Sequence, residues 1–238
     1  MTELLFRADA YLTEATCRII GHTGEGGLIV DRTVFYATAG GQPGDSGRLH
    51  WDGGQMAIAT AVAVDGGVAL VPAEPVAMPP VGALALQVLD WGRRHRHMRM
   101  HTALHLLSVV IALPVTGGQI GADRGRLDFA MPDPPDDLGA LDAALNALID
   151  RDLPVTDSWI TDAELIANPG LVKTLSVMPP LGRGRVRLVR IGAGPDQIDL
   201  QPCGGTHVAR TGEIGHVEIV RVENKGRQNR RVSLRLVV

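Results

Sequence analysis

Up to about residue 90, apolar and polar residues alternate in short runs that end at glycine-containing turns. A period of two is typical of strands buried on one face, and glycine with polar residues marks the turns between them. The clearest runs are TCRIIG (16–21), GLIVD (27–31), MAIATAVAV (56–64) and VALVPA (68–73). Strands this short and this regularly interrupted predict a small antiparallel β-barrel.

Beyond residue 90 the hydrophobic pattern takes a helical period. It predicts one helix over residues 93–112, ended by Pro114, and a second within residues 136–152. Thr161 and Glu164 have the spacing of a capping box, which predicts a third, short helix. Strand-like runs follow at 184–192, 197–202, 215–223 and 230–238, the last two joined as a hairpin. We therefore predict an α+β protein in which an antiparallel β-barrel (residues 1–90) precedes an α+β domain (residues 91–238).

Length and composition are typical of a globular protein. The chain has 238 residues, 45% of them hydrophobic, enough for one large domain or two modest ones. It lacks a run of about eighteen uncharged apolar residues, which argues against a membrane span. The start, MTELLFRADAYL, does not resemble a secretion signal, so we expect a cytoplasmic protein. Two cysteines are too few for a disulfide framework, and Cys17, within an apolar run, is expected to be an inert buried thiol.

Charge is unevenly distributed along the chain. Residues 1–90 carry four Arg and ten Asp or Glu, a net charge of −6, whereas the rest carries +3. Basic residues of the second part cluster at 93–99, 183–190 and 225–231. These clusters would contact phosphates if their side chains share a face, or they are simply solvated edges of strands and helices.

Four side chains have the spacing of a metal site. His101 and His105 in HTALH are four residues apart on a predicted helix, which places both imidazoles on one face. Cys203 and His207 in CGGTH follow a strand-like run, and the glycines between them permit a tight turn. Nitrogen and thiolate donors suit zinc better than magnesium or calcium, so we predict a Zn²⁺ site. The other histidines, which are His22, His50, His95, His97 and His216, are interpreted as surface or capping residues.

The order HTALH, then CGGTH, resembles the editing domain of alanyl-tRNA synthetase and the freestanding alanyl-tRNA editing proteins of the AlaX type. The resemblance extends to FYATAGGQPGDSG (35–47) and EIGHVEIVRVENKGRQNRR (213–231). With an amino-terminal barrel and no aminoacylation domain, the chain is similar to the medium-sized form. The resemblance implies a zinc-dependent aminoacyl-tRNA deacylase that hydrolyses the ester in mischarged tRNA(Ala), chiefly Ser-tRNA(Ala) and sometimes Gly-tRNA(Ala). Such a second sieve is needed because a pocket for a methyl group discriminates poorly against one added hydroxyl.

The resemblance also implies roles for residues outside the metal ligands. Thr102 and Gln119 are candidate catalytic residues, either of which would offer a polar contact to the serine hydroxyl. The metal itself is a third candidate for this contact. If neither residue has this role, Thr102 is a surface or cap residue and Gln119 a turn residue. The implied substrate-binding residues are Gly40, Gly41, Gln42, Asp45, Arg230 and Arg231. The glycine-rich stretch departs from the family pattern, with Ala37 where proline is common and Ala39 where glycine is common.

Two questions stay open at the level of sequence. If one protein ligand is absent from the ion, the ion would activate a water molecule; if all four bind, it would hold the substrate while a separate water attacks. Two other functions use the same ligands: a zinc-stabilised tRNA-binding module without catalysis, and a metal-dependent hydrolase of a small ester or amide. The sequence does not indicate an oligomeric state.

Overall fold

Six strands of the amino-terminal part close into an antiparallel barrel in the computed structural model, which describes residues 1–174, 182 and 184–237. The strands of this part are β1 (Glu3–Leu4), β2 (Glu14–His22), β3 (Leu28–Val30), β4 (Arg32–Thr33), β5 (Gly47–Trp51), β6 (Gly54–Val64), β7 (Gly67–Pro72) and β8 (Leu84–Leu89). The barrel order is β2-β3-β7-β6-β5-β8, and β1 pairs in parallel with β4 outside it. Closure leaves no free strand edge, and the predicted barrel is confirmed.

The barrel interior follows from strand alternation. Along β2, Cys17 and Ile19 are buried, whereas the neighbouring Thr16 and Arg18 are exposed. Leu28, Leu49 and Leu70 contribute to the same apolar cluster from three other strands. Burial of alternate apolar side chains removes them from water at roughly 25 cal/mol per Å², which stabilises the closed sheet.

Helices and two further sheets form the rest of the chain. The elements are α1 (Trp91–Val110), β9 (Val115–Gln119), β10 (Arg124–Ala130), α2 (Leu138–Asp150), β11 (Val155–Thr161), α3 (Asp162–Ala167), β12 (Arg185–Ile191), β13 (Asp199–Pro202), β14 (Val217–Asn224) and β15 (Asn229–Leu236). One antiparallel sheet has the order β14-β15-β10-β9 and the other β11-β12-β13. The α+β class, the three helices and the β14–β15 hairpin agree with the sequence predictions.

Short-range signals set the ends of the helices. Asp137 caps α2 by accepting a hydrogen bond from the amide of Ala140 at 2.9 Å. Thr161 and Glu164 form the predicted capping box at the start of α3, with each side chain bonded to the other's backbone amide. Both arrangements satisfy amides that have no partner within the helix.

Helix α1 packs against the inner face of the four-stranded sheet. A Cβ atom at Gly125 would lie 2.6 Å from the Met100 side chain and 3.1 Å from that of Leu104. Any larger residue at Gly125 would therefore separate β10 from the helix that carries the HTALH motif.

The chain divides into two compact units, Met1–His95 and Arg96–Val238, so that α1 contributes residues to both. The proposed domain boundary at residue 90 directly precedes this helix. Among the described helices, none combines the length and the apolar character needed to cross a membrane.

Candidate metal centre

His101, His105, Cys203 and His207 come together in the second unit. One donor atom from each lies within 4.8 Å of the others. The Cys203 Sγ is 3.2 Å from Nε2 of His207 and 3.4 Å from Nε2 of His101. A tetrahedral ion with zinc-like bond lengths would hold sulfur and nitrogen donors about 3.5 Å apart. The four side chains therefore have the spacing of a single-ion site.

Two local structures bring these donors into place. On α1, the spacing of four puts the rings of His101 and His105 on the same face, with centroids 5.2 Å apart. Strand alternation through β13 places the side chains of Asp199 and Gln201 on one face, and Cys203 continues this alternation just beyond the strand. The three histidines are almost fully buried, and Cys203 as a whole residue is partly buried.

An arginine on β12 holds the loop that carries the second pair of donors. The Arg187 guanidinium donates to the carbonyls of Cys203, at 3.2 Å, and Gly205, at 2.9 Å. The Cys203 amide in turn donates to the Arg187 carbonyl at 3.1 Å. Both the side chain and the backbone of Arg187 therefore bond the CGG turn, and these bonds limit movement of Cys203.

Asp199 orients the ring of His105. Its Oδ2 accepts from Nδ1–H of His105 at 3.0 Å and from the Gln201 amide at 2.8 Å. Its Oδ1 accepts from Lys173 at 2.6 Å, and the carboxylate is completely buried. With the proton held on Nδ1, the Nε2 lone pair of His105 is left for a ligand, the arrangement found behind many metal-binding histidines.

Thr102 orients the ring of His207. Its hydroxyl donates to the Met98 carbonyl at 3.0 Å and accepts from the Val208 amide at 3.3 Å. It lies 3.1 Å from Nδ1 of His207, which is then the donor to the remaining lone pair. Nε2 of His207 consequently faces Cys203 unprotonated, and the hydroxyl of Thr102 has no capacity left for a further partner.

The surroundings favour the ligand forms of the thiol and of His207. Burial would raise the pKa of Cys203, but the charges and hydrogen bonds of the neighbouring histidines outweigh it and hold that pKa well below its ordinary value. Burial and the charge of His101 lower the pKa of His207 to about 3. Burial would also raise the pKa of Asp199, yet the hydrogen bond from His105 and the charges of His105 and Lys173 hold it at about 2. Burial would lower the pKa of His105, but the hydrogen bonds and charges of Asp199 and Cys203 outweigh it and raise that pKa to about 9. Thiolate and neutral imidazole are the forms that bind metal, so metal binding would release a proton from His105.

Comparison with known proteins bears on what such a site does. The family model for the "Threonyl and Alanyl tRNA synthetase second additional domain" matches residues 186–233. The alanyl-tRNA editing protein AlaX-M of Methanosarcina acetivorans is 33% identical over 254 residues, covering the whole of both chains. AlaX-M of Saccharolobus solfataricus is 32% identical over 98% of each chain. This chain belongs to the AlaX family of alanyl-tRNA editing proteins. It is also similar to the alanine–tRNA ligase of Korarchaeum cryptofilum. The matched region is 35% identical and covers 92% of this chain and 24% of that protein.

The glycine-rich stretch of this AlaX protein forms a tight turn in the first unit. Ala39 and Gln42 exchange two backbone hydrogen bonds, and Gly40 and Gly41 between them have φ of 56° and 82°. Both central residues of such a two-residue turn need positive φ, which explains the Gly-Gly pair. The turn closes with Ala39 in place of the glycine common in the family. Gly40 and Gly41 are exposed and Gln42 is buried; their contact with substrate stays a prediction.

The carboxylate of Asp45 accepts hydrogen bonds within the first unit. Its buried carboxylate accepts from the Tyr36 amide at 2.6 Å and from Nε of Arg94 at 2.9 Å. Arg94, itself completely buried, also donates to the Val34 and Ala10 carbonyls. One oxygen of this carboxylate therefore holds Arg94 and the start of the glycine-rich stretch, and contact of Asp45 with substrate stays a prediction.

Several arginines of the basic clusters are bonded within the protein. In the 93–99 cluster, Arg94 is inside the barrel unit and Arg99 donates to the Ile214 carbonyl. Arg230 is bonded to Asn224 and to the carbonyls of Gly226 and Pro132, and Arg231 makes a bidentate pair with Asp128. Arg183 lies outside the described residues. Arg230 and Arg231 thus have partners within the protein, and their contact with tRNA stays a prediction.

Gln119 lies in a strand and lines a cavity that is separate from the four candidate ligands. It ends strand β9, not a turn, and accepts from Nε of Arg126 at 3.3 Å. The cavity that it lines includes none of the four candidate ligands. The interpretation of Gln119 as a turn residue is therefore wrong, and its contact with substrate stays a prediction.

The sequence also predicts the environments of Cys17 and His97. Cys17 is buried in the barrel, and burial raises its pKa to about 11, which confirms the inert thiol. His97 was interpreted as a surface or capping residue, but only 2% of it is exposed, so that interpretation is wrong. Helix α1 is buried on more than one face, which its periodicity does not reveal.

Proposed function

We propose that this protein hydrolyses the ester between serine, and to a lesser extent glycine, and tRNA(Ala), and that zinc bound by His101, His105, Cys203 and His207 is required. The observation that carries the proposal is the convergence of these four donors in a chain of the AlaX family. The names of its relatives support alanyl-tRNA editing; the amino acid removed and the identity of the metal are our inference.

The donor set supports zinc over other ions. Three imidazoles and one thiolate are borderline-soft ligands, which magnesium and calcium avoid and which zinc binds without redox chemistry. A zinc ion there supplies a Lewis acid that attracts the ester carbonyl or the serine hydroxyl at neutral pH. Asp199 and Thr102 keep two imidazoles in the required tautomer and orientation, while Arg187 fixes the turn that carries Cys203.

Thr102 acts in this proposal by positioning His207, and it does not read the substrate. All three hydrogen-bonding capacities of its hydroxyl are used by Met98, Val208 and His207. Gln119 lines a different cavity. Of the three groups considered for recognition of the serine hydroxyl, the metal is the one that remains.

Thr102→Val is expected to weaken Zn²⁺ binding by about 10- to 100-fold, because loss of a hydrogen-bond partner behind a metal-binding histidine has effects of this size. Chelator competition would measure the dissociation constant. Thr102→Ser keeps the hydroxyl and should bind zinc almost as tightly as the native protein. Ser108→Ala is the matched control, since this buried hydroxyl on α1 donates to the His105 carbonyl and bonds no other group among the described residues. Equal zinc affinity in Thr102→Val and the native protein would contradict the positioning role.

The deciding experiment compares hydrolysis of Ser-tRNA(Ala) and Ala-tRNA(Ala) by the zinc-loaded protein. We expect serine to be released faster, by a factor on the order of 10⁴, because a site that bonds the substrate hydroxyl leaves its polar groups unpaired with alanine. Gly-tRNA(Ala) has no hydroxyl to bond and should be cleaved much more slowly than Ser-tRNA(Ala). Equal rates on the seryl and alanyl forms would refute the proposal, since such an enzyme would destroy the correct product.

A further inference from the structure

A row of polar side chains crosses the outer face of the four-stranded sheet. Strand register places Gln119 of β9 opposite Arg126 of β10, Arg126 opposite Ser233 of β15, and Ser233 opposite Arg221 of β14. Neighbouring strands lie about 4.8 Å apart, so the row extends roughly 14 Å across the sheet. We call these four residues the outer row.

A β-bulge puts Arg221 into the outer row. The register of β14 and β15 shifts between Ile219, which pairs with Leu234, and Arg221, which pairs with Ser233. Without the extra residue, Val220 would lie opposite Ser233 and Arg221 would lie opposite the buried Val232. Bulges of this kind redirect a side chain, and they are frequent next to functional sites.

The outer row lines a cavity that is rich in cations. The cavity has a volume of about 270 Å³ and is lined by the outer row together with Arg124 and small or apolar neighbours. It has three arginines, a hydroxyl and an amide, and none of its lining residues is acidic. Arg124 is exposed and makes no ion pair with any described residue. Arg126 is paired with Asp128, and Arg221 with Glu223, at 2.8 and 3.2 Å.

These ion pairs leave the arginines available to a stronger anion. The Arg221 side chain is 65% exposed, and a pair this open contributes only about 0–1 kcal/mol. Asp128 keeps a bidentate pair with Arg231 when Arg126 turns away from it. Guanidinium groups bind phosphate through two parallel hydrogen bonds, and hydroxyl and amide groups add further contacts to phosphate oxygens.

We propose that the outer row and Arg124 bind the phosphate backbone of tRNA. A row of this length with cations at several points suits a chain of phosphates better than one small anion. The choice of tRNA as the polyanion rests on the proposed function. The row lies on the face opposite to α1, because Gly125 and Leu234 of the inner face are directed to the core beneath that helix. It therefore holds the RNA without touching the ester.

The test is binding of uncharged tRNA(Ala) by the full chain, followed by fluorescence anisotropy over a salt series. In the variant Arg124→Gln, Arg126→Gln, Arg221→Gln, we expect the dissociation constant to rise by at least about tenfold near 0.1 M salt. The slope of log affinity against log salt should become shallower by roughly two units, since each phosphate contact contributes about 0.7–0.9. Arg151→Gln is the matched control, because Arg151 is an exposed, ion-paired arginine of the same unit at the end of α2.

Ser233→Glu provides a second, independent variant, since it introduces a negative charge in the centre of the row and removes no arginine. It should also weaken tRNA binding, while zinc content shows that the unit is still folded. Unchanged affinity and salt slope in both variants would overturn the proposal. Because uncharged tRNA is the probe, this result is separate from deacylation: binding through the outer row without release of serine would refute the proposed function alone.

Discussion

Cys203→Ala is expected to reduce zinc from about one ion per chain to a small fraction and to slow hydrolysis of Ser-tRNA(Ala) by at least about 10³-fold. Loss of a Lewis acid removes several kcal/mol of transition-state stabilisation, and each 1.4 kcal/mol is about a factor of ten. The Cys203 sulfur is within 3.4 Å of two of the imidazole nitrogens, so its removal opens the site on that side. Elemental analysis and single-turnover kinetics would measure the two effects.

His101→Ala and His105→Ala should have the same two effects, because each removes one of the four converging donors. Cys17→Ala is the matched control: it removes the other thiol, which is buried in the barrel and has no part in the cluster. Full zinc content in Cys203→Ala and His105→Ala would remove these residues from the site. Normal zinc content with lost activity would instead show that they act on the substrate and not on the metal.

Arg94→Met is expected to lower the free energy of unfolding of the first unit by about 3–5 kcal/mol, the usual effect of removing one partner from a buried ion pair. Arg94 and Asp45 have side-chain exposures of 0% and 1%, so water cannot replace the lost donors. The substitution also leaves the Val34 and Ala10 carbonyls without this partner. Urea unfolding would measure the change.

Two further variants separate the buried charge from the volume of the side chain. Arg93→Met changes the preceding, less buried arginine of α1 and should alter stability by less than about 0.5 kcal/mol. Adding Asp45→Asn to Arg94→Met removes the uncompensated carboxylate and should recover part of the loss. If Arg94→Met unfolds at the same urea concentration as the native protein, the buried pair does not stabilise the barrel.

The candidate metal site could be predicted from sequence because each half of it is local. A helix fixes the relation of His101 to His105, and a short glycine turn fixes that of Cys203 to His207. The groups behind the ligands come from distant parts of the chain: Lys173 is 26 residues before Asp199, and Asp199 is 94 residues from His105. Alternation along β13 places Asp199 and Gln201 on the same face as Cys203, which follows the strand. This alternation is visible in the sequence and could have identified both residues as neighbours of the ligands.

The sequence did not reveal the partners of polar residues that are far apart along the chain. Asp45 and Arg94 are 49 residues apart, and neither has a neighbour in sequence that reveals the pairing. Gln119 was assigned from its position in a motif, but the pairing of β9 with β10 directs it to Arg126. Among the barrel strands, β5 and β8 were not predicted, and in β8 the exposed apolar residues Leu84 and Leu86 obscure the alternation.

By itself the sequence determined the barrel class, the three helices, the capping box of α3 and the four candidate ligands. Each of these depends on side-chain periodicity or on hydrogen bonds between residues only a few positions apart, and such interactions form wherever the segment is placed. Only the tertiary structure decided that Thr102 serves His207, that Asp45 neutralises Arg94 and which arginines face outward. These assignments depend on strand register and on a single bulge in β14, where a shift of one residue moves a side chain from the core to solvent.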